Sequence, residues 1–337
     1  MMKTRLLISI LIVFTSVMLA DGGSSGTEIV PKSGTSGSHF LLISPDAGFA
    51  GMGNAYAAYK NTSASSAFYN PATLVYLDNK DLFFGMVNWA ADIQFTSAAY
   101  AMQMGNGRAI AFHYRALNTG KINETTIFEP NGTGNTFAWK SLAVGVSTAT
   151  QLTERFSFGV NLFYIKEGVA KYDMEASAWG VDLSTFYITG FNTLNMGMTI
   201  RNFGPELDFD KTFVDYANGD TATVDESYRP YHIPLQFQIG LNYEFFENDP
   251  DQQLFVSVDG VHPNDALERL QIGMEYNYMN LLSIRGGLYS NHDSVSWMGG
   301  FGVNGKSFIQ QDITFNYSVS NYGLLGFLHQ FSIGYGL

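Results

Sequence analysis

From residue 80 onward, hydrophobic and polar positions alternate with a period of two in segments of about ten residues. Ile233, Leu235, Phe237, Ile239, Leu241, Tyr243 and Phe245 alternate with Pro234, Gln236, Gln238, Gly240, Asn242 and Glu244. Leu270, Ile272, Met274, Tyr276 and Tyr278 alternate with Gln271, Gly273, Glu275 and Asn277. Ile313, Phe315, Tyr317 and Val319 alternate with Asp312, Thr314, Asn316 and Ser318. Similar segments begin near residues 81, 93, 107, 138, 155, 176, 193, 253, 281, 295 and 325, so the pattern predicts fourteen strands. Strands of this length cross a bilayer when tilted, and an even number is expected of a single-chain bacterial barrel. After residue 20 no run of about 18 apolar residues occurs, which excludes a membrane-spanning helix.

The connections add to this. Links after even strands read as short: Gly105-Asn106, residues 152–154, residues 190–192, residues 247–252, Asn280 and Gly305-Lys306. Links after odd strands read as mostly longer: 118–137, 167–175, 204–232, 262–267 and 291–294, with the very short first link as the exception. Short turns at one end and long loops at the other suit an outer-membrane barrel with both termini in the periplasm. The polar face is mostly Gly, Ser, Asn, Gln and Thr, which fits a packed, wet lumen. The competing reading, a soluble sandwich or secreted β-domain, would turn its apolar face inward and its charge outward.

Composition agrees. Charged residues are only 14% of the 337, against roughly 25% in a typical soluble domain. Aromatic residues reach 15% and there are 35 glycines, as in a sheet protein whose surface is not built for water. With no cysteine, disulfides, a Cys-ligated metal and a Cys nucleophile are excluded. A formal charge of −12 argues against nucleic acid as a partner. Lys3 and Arg5, the apolar stretch Leu6–Leu19 and the small Ala20 have the layout of a secretory signal peptide over residues 1–20; the competing reading is an N-terminal anchor. The expected organisation is a signal peptide at 1–20, a flexible Gly/Ser-rich N-terminus and lumen plug at 21–79, and a transmembrane β-barrel at 80–337.

No catalytic constellation emerges. The six histidines, at 39, 113, 232, 262, 292 and 329, lack ligand spacing on a helix, and there is no Gly-x-Ser-x-Gly elbow or isolated carboxylate pair. No catalytic residue, metal or cofactor is therefore predicted. His113 falls on the lumen face and His329 on the apolar face near a strand end. The predicted inner face carries Arg115, Asp182, Arg201, Glu244, Asp259, Glu275, Arg285 and Asp312, either as a polar network that holds a plug or as a solute path. The long link 204–232 interleaves acids with Phe209, Phe213, Tyr216, Tyr228 and Tyr231. These aromatics form either a partner-binding patch or part of the membrane girdle. Phe331, Ile333, Tyr335 and Leu337 share one face of the last strand, a pattern resembling the terminal assembly signal of barrel proteins, although such signals usually end in Phe or Trp.

Ahead of the barrel stand Phe40-Leu41-Leu42-Ile43-Ser44-Pro45-Asp46-Ala47-Gly48, then Gly51-Met52-Gly53-Asn54-Ala55-Tyr56, and then Ser66-Ala67-Phe68-Tyr69-Asn70-Pro71-Ala72-Thr73-Leu74. This segment resembles the PorV/PorQ family of outer-membrane proteins, relatives of the long-chain fatty-acid transporter FadL; motif likeness covers residues 40–74. The resemblance implies an all-β, 14-stranded antiparallel transmembrane β-barrel with an N-terminal plug (hatch), in the outer membrane of a Gram-negative bacterium. It also implies a non-enzymatic part in type IX secretion, binding the C-terminal domains of exported cargo, delivering that cargo to the cell-surface attachment machinery, or both. Partners would then be cargo domains, secretion and attachment components, and outer-membrane lipid. The alternative is a FadL-like channel for small hydrophobic molecules. In the plug, Gly51 and Gly53 permit close backbone approach, and Asn70, Pro71 and Ala72 either end the plug ahead of the first strand or mark a gate.

Overall fold

The computed structural model describes residues 34–209, 213–215, 222–224, 230–292 and 295–337. The expected signal peptide, and Tyr216 and Tyr228 of the long link, lie outside the described residues. Fourteen antiparallel strands close into one barrel. In chain order they are β1 Lys80–Asn88, β2 Gln94–Gly105, β3 Arg108–Asn118, β4 Lys140–Thr153, β5 Phe156–Val169, β6 Met174–Ile188 and β7 Asn195–Phe203. They continue with β8 Gln236–Phe245, β9 Gln252–Pro263, β10 Arg269–Tyr278, β11 Leu282–Tyr289, β12 Trp297–Asn304, β13 Ile313–Asn321 and β14 Phe327–Gly336. Each strand pairs with its sequence neighbours, and β14 closes on β1 through the register Asp81↔Gly336 to Asn88↔His329. Closure leaves no sheet edge, which is what allows strands to stand in lipid.

The alternation in sequence becomes alternation between two environments. On β5, Ser157, Asn161, Phe163, Ile165 and Glu167 are buried inside, while Phe158 and Leu162 stand exposed on the outer wall. The outer wall also exposes Phe84, Phe112, Trp179, Ile239, Leu241 and Ile333. Apolar surface this continuous has no place in water and suits lipid. The strands form a membrane-spanning β-barrel.

The links are less sharply sorted than the sequence suggests. The strands extend further, so the link after β5 shrinks to residues 170–173, while the link after β12 spans 305–312 and contains a short helix, Lys306–Ile309. Side-chain alternation cannot mark where pairing stops, because residues above the membrane continue it. The β2–β3 turn is built from Asn106 and Gly107, both at positive φ (53° and 67°), the geometry a two-residue hairpin requires. Long excursions do occur at the outer end. Residues 119–139 carry a small hairpin, Ile122–Asn123 with Thr136–Phe137, and Phe213–Asp215 pairs with Ala222–Val224.

Residues 36–77 fill the barrel. They form a one-turn α-helix, Ala47–Gly51, and 3₁₀ turns at His39–Leu42, Ala64–Phe68 and Pro71–Tyr76. The chain is not regular enough to pair its own backbone, so side chains cap it. Asp46 accepts from Gly48 N at 2.8 Å, Ser63 from Ser65 N at 3.2 Å and Asn70 from Ala72 N at 3.1 Å, with Pro71 in the first-turn position where its missing N–H is harmless.

The interior is less uniformly polar than the sequence pattern suggests. Phe83, Phe95, Phe163, Ile165 and Phe186 point inward and are fully buried. They meet apolar residues of the plug: Phe49, Met52, Phe68 and Leu74 in one cluster, Phe40, Leu41 and Ile43 in another. An apolar plug side chain needs an apolar wall opposite, so inner-face composition follows the plug it faces rather than the lumen as a whole.

Candidate functional site

The plug is seated by backbone approach. Inward-facing glycines in the wall lie directly against plug backbone: Gly85 against Pro45 O, Gly159 against Ala72 N, Gly197 against Ala57 O, Gly273 against Met52 O and Gly287 against Gly53 N. A Cβ at any of these would overlap the plug. On the plug side, a Cβ at Gly51 would come within 3.3 Å of Gly300, and Gly53 adopts φ +64 with Gly287 Cα 3.2 Å from where its Cβ would stand. Asn70 Nδ2 donates to Ala57 O at 2.7 Å and to Thr185 O at 3.1 Å, joining plug to β6, and Ala72 N donates to Ser184 Oγ at 3.0 Å. Nothing local to a strand assigns its wall glycines to the plug. Their signal is only that glycines at polar-phase positions of strands mark close backbone approach.

Polar groups then lock the seated plug. Asp259 on β9 accepts from Ala57 N at 2.8 Å and Gln238 Nε2 at 2.7 Å. Glu275 on β10 accepts from the Tyr59 hydroxyl at 2.7 Å and pairs with Arg285 on β11, which also donates to Asn316 Oδ1 at 2.8 Å. Arg201 on β7 donates to the Tyr56 hydroxyl, and Arg115 on β3 donates to Leu41 O at 2.9 Å. Asp182 takes Asn161 Nδ2 at 2.8 Å and Asn202 N at 2.6 Å. Five of the eight inner-face charges named from sequence thus hold the plug, Arg285 through Glu275, while Asp182 bonds only wall residues of β5 and β7. Glu244 and Asp312 sit nearer the periplasmic end and are only partly buried.

The histidines are spread through the fold. His113 Nε2 meets Asn161 Oδ1 at 2.8 Å inside, and His329 Nδ1 meets the Tyr317 hydroxyl at 2.7 Å on the outer wall. Among the described residues there is no group of three or more His, Asp or Glu side chains arranged to hold a metal.

At the outer end, two of the five aromatics named in the long link have described side chains, and both turn toward the plug. Phe209 is buried and packs on Trp139 at 5.8 Å between centroids; Tyr231 is half-buried beside it. The Tyr231 hydroxyl donates to Glu167, which also takes Ser38 Oγ at 2.8 Å and Ser141 Oγ at 3.1 Å. Burial, then the bond to that carboxylate, holds the Tyr231 phenol above its ordinary value, so it remains a donor. The two aromatics cover the plug entrance because Leu207 and Tyr231 bridge the link at its base, with Leu207 N donating to Tyr231 O at 2.9 Å. Phe213 lies in the distal hairpin. Further out, Glu124 of the 119–139 excursion accepts from the Tyr172 hydroxyl at 2.6 Å, Thr133 at 3.0 Å and Lys171 at 3.3 Å. These contacts, the Tyr172 bond foremost, hold its carboxyl at about 2.

Between rim and plug lies a partly open cavity of about 350 Å³. Its walls include Trp89 and Tyr322 from the outer links, Phe40 and Tyr56 from the plug, and Arg201 and Arg269 from the barrel. On β14, Phe331, Ile333 and Tyr335 face outward, and Leu337 N donates to Lys80 O at 2.8 Å beside the β14–β1 seam.

The model of the family described as "Type IX secretion system protein PorV" matches residues 29–257, which span plug and barrel into β9. No curated protein is similar enough to match. Among solved structures, the chain is similar to the toluene transporter TodX of P. putida, with a TM-score of 0.57 at 14% identity over 86% of this chain and 98% of that one. It is similar to the toluene transporter TbuX of Ralstonia pickettii, at 0.57 and 15% over 87% and 96%. A FadL homologue of Pseudomonas aeruginosa gives 0.55 and 11% over 87% and 97%. At these identities the likeness is one of fold, which many functions share.

Proposed function

The chain belongs to the PorV family of type IX secretion system proteins, and from that premise we propose that it works without chemistry of its own, as a rigid outer-membrane platform. On this reading it binds the C-terminal domains of exported cargo at its outer rim and passes cargo to the cell-surface attachment machinery. The family match over residues 29–257 carries the proposal. The plugged interior supports it: wall glycines and inner-face charges are committed to holding residues 36–77, which leaves the rim to meet partners. The domain division of signal peptide, plug and barrel belongs to the same proposal.

The second reading is a channel for small hydrophobic molecules. The fold shared with two toluene transporters favours it. Against it, a path for such solutes needs an apolar lining, and the plug here is fastened by buried Asp259, Glu275, Arg115 and Arg201.

Affinity purification from gently solubilised outer membranes, with mass spectrometry of what is retained, tests the proposal. Recovery of secreted proteins that share a C-terminal domain, or of a large translocon barrel, is expected. Recovery of this barrel alone, with a small hydrophobic ligand inside it, would overturn the secretion role in favour of the channel.

A further inference from the structure

We propose that the outer cavity is a binding site for a carboxylate carried on an apolar body, and that its occupant is the free chain terminus of a bound polypeptide. The inference deepens the cargo reading and rests on it for the choice of occupant; the carboxylate chemistry stands on the cavity itself.

Charge is the first observation. The chain has 30 Asp and Glu against 18 Lys and Arg, yet the cavity is lined by Arg201 and Arg269 and by no carboxylate. Deeper in the lumen Arg285 is paired with Glu275, whereas Arg115 makes no ion pair and is held by Leu41 O, closed off from the cavity lining. Neither cavity arginine makes an ion pair with a described residue. A buried guanidinium that lacks a direct carboxylate partner and keeps an unpartnered Nε is costly, so an anion that enters gains what the protein itself has left unsatisfied.

Unpaired donors are the second observation. Arg201 uses one Nη on the Tyr56 hydroxyl and the other on Leu41 O at 3.4 Å, and its buried Nε has no partner. Arg269 lies over the Tyr289 ring, 5.9 Å from the centroid, and its buried Nε is also unpartnered. Gln236 Nε2 is a third buried donor without a partner. Arg201 and Gln236 are each more than nine-tenths buried and are directly paired in register on β7 and β8. The guanidinium fork suits the two oxygens of a carboxylate.

The remaining lining selects what carries that carboxylate. Phe40, Leu42, Ile43, Trp89 and Met298 supply apolar wall for a side chain. Gln236, Gln271 and Gln330 line the same space, and amides both donate and accept, which matches a peptide bond better than a hydrocarbon chain. A volume of about 350 Å³ is at the small end for ligand pockets and suits the last one or two residues of a chain rather than a folded element.

The test is isothermal titration calorimetry of the intact barrel in detergent with three probes: N-acetyl-leucyl-phenylalanine as the free acid, its C-terminal amide, and hexanoate. The free acid should bind, and the amide should bind at least about tenfold more weakly, the scale for loss of one charged hydrogen bond. Arg269→Gln, which removes no plug hydrogen bond, should erase the preference for acid over amide while heat-modifiable migration on gels stays normal. Arg201→Lys should weaken the acid more than the amide. Equal binding of acid and amide, or binding of neither, overturns the site. Hexanoate binding as tightly as the dipeptide overturns the chain terminus as occupant and assigns the site to free organic acids. The two readings fail separately: recovery of secretion partners from membranes with no acid preference removes only the cavity, and an acid preference with no such partners removes only the cargo reading.

Discussion

Glu275→Ala is expected to loosen the barrel and its plug together. The Glu275 and Arg285 side chains are 5% and 11% exposed, so the pair is largely dry. The carboxylate also accepts from the Tyr59 hydroxyl at 2.7 Å and Asn277 Nδ2 at 2.9 Å. Its removal leaves the Arg285 guanidinium with only Asn316 Oδ1, at 2.8 Å, as a hydrogen-bond acceptor. Breaking a buried pair from one side costs about 3–5 kcal/mol, because the stranded charge remains buried. That lowers the folded-to-unfolded ratio by roughly two to four powers of ten. Tyr59→Phe removes only one donor to a charged acceptor and should cost about 1.5–3 kcal/mol. Glu275→Ala/Arg285→Ala strands no charge and should be less destabilised than the sum of its single variants, a coupling that a double-mutant cycle measures directly. The assay is urea titration of the barrel in lipid vesicles, with unheated gel migration reporting the folded fraction. A Glu275→Ala barrel within about 1 kcal/mol of wild type, or strict additivity in the cycle, would refute the claim that this pair ties the plug to the wall.

Gly197→Val, whose Cβ would overlap Ala57 O, should unseat the plug and raise small-ion conductance in planar bilayers while the barrel remains folded; unchanged conductance in a folded variant would show that the plug does not depend on that contact. Contact between the outer excursions should survive acid well: the folded Glu124 value of about 2 lies below its ordinary 4.5, so its contribution is complete above 4.5 and is lost as pH falls through about 2. Hydrogen-exchange protection in residues 119–139, taken relative to the intrinsic rate at each pH, should therefore stay flat down to pH 4.5, and a loss of protection already there would contradict the assignment. Replacing Ile333 and Tyr335 by Ser removes apolar outer wall from β14, which closes on β1, and should reduce the heat-modifiable fraction in outer membranes; normal assembly would mean that neither side chain matters to closure.

How much could be read in advance differs between wall and interior. The strands were legible because lipid outside and packed interior inside impose opposite demands on successive residues, and that demand is local. Ile239 and Leu241 against Gln238 and Asn242 announce β8 without knowledge of any partner. Asn70-Pro71 was legible for the same reason, since a cap and a turn act within a few residues.

The seat of the plug was not legible. Gly197 and Ala57, or Glu275 and Tyr59, are far apart in sequence, and nothing in either segment states the register that joins them. Phe209 and Tyr231 illustrate the limit. Aromatics among acids in a long link read equally as a partner-binding patch or as part of the membrane girdle, and only the bridge from Leu207 to Tyr231 turns these two over the plug. Arg201, Arg269 and Gln236 likewise stand as ordinary polar positions on three different strands until closure brings them to one cavity. Sequence alone determined the fourteen strands, their two faces and the family, because these follow from local alternation and a contiguous motif. Tertiary structure alone decided which inner-face charges hold the plug, which glycines carry it and where two arginines line one cavity without a carboxylate, because each depends on contacts between segments that the chain brings together only when the barrel closes.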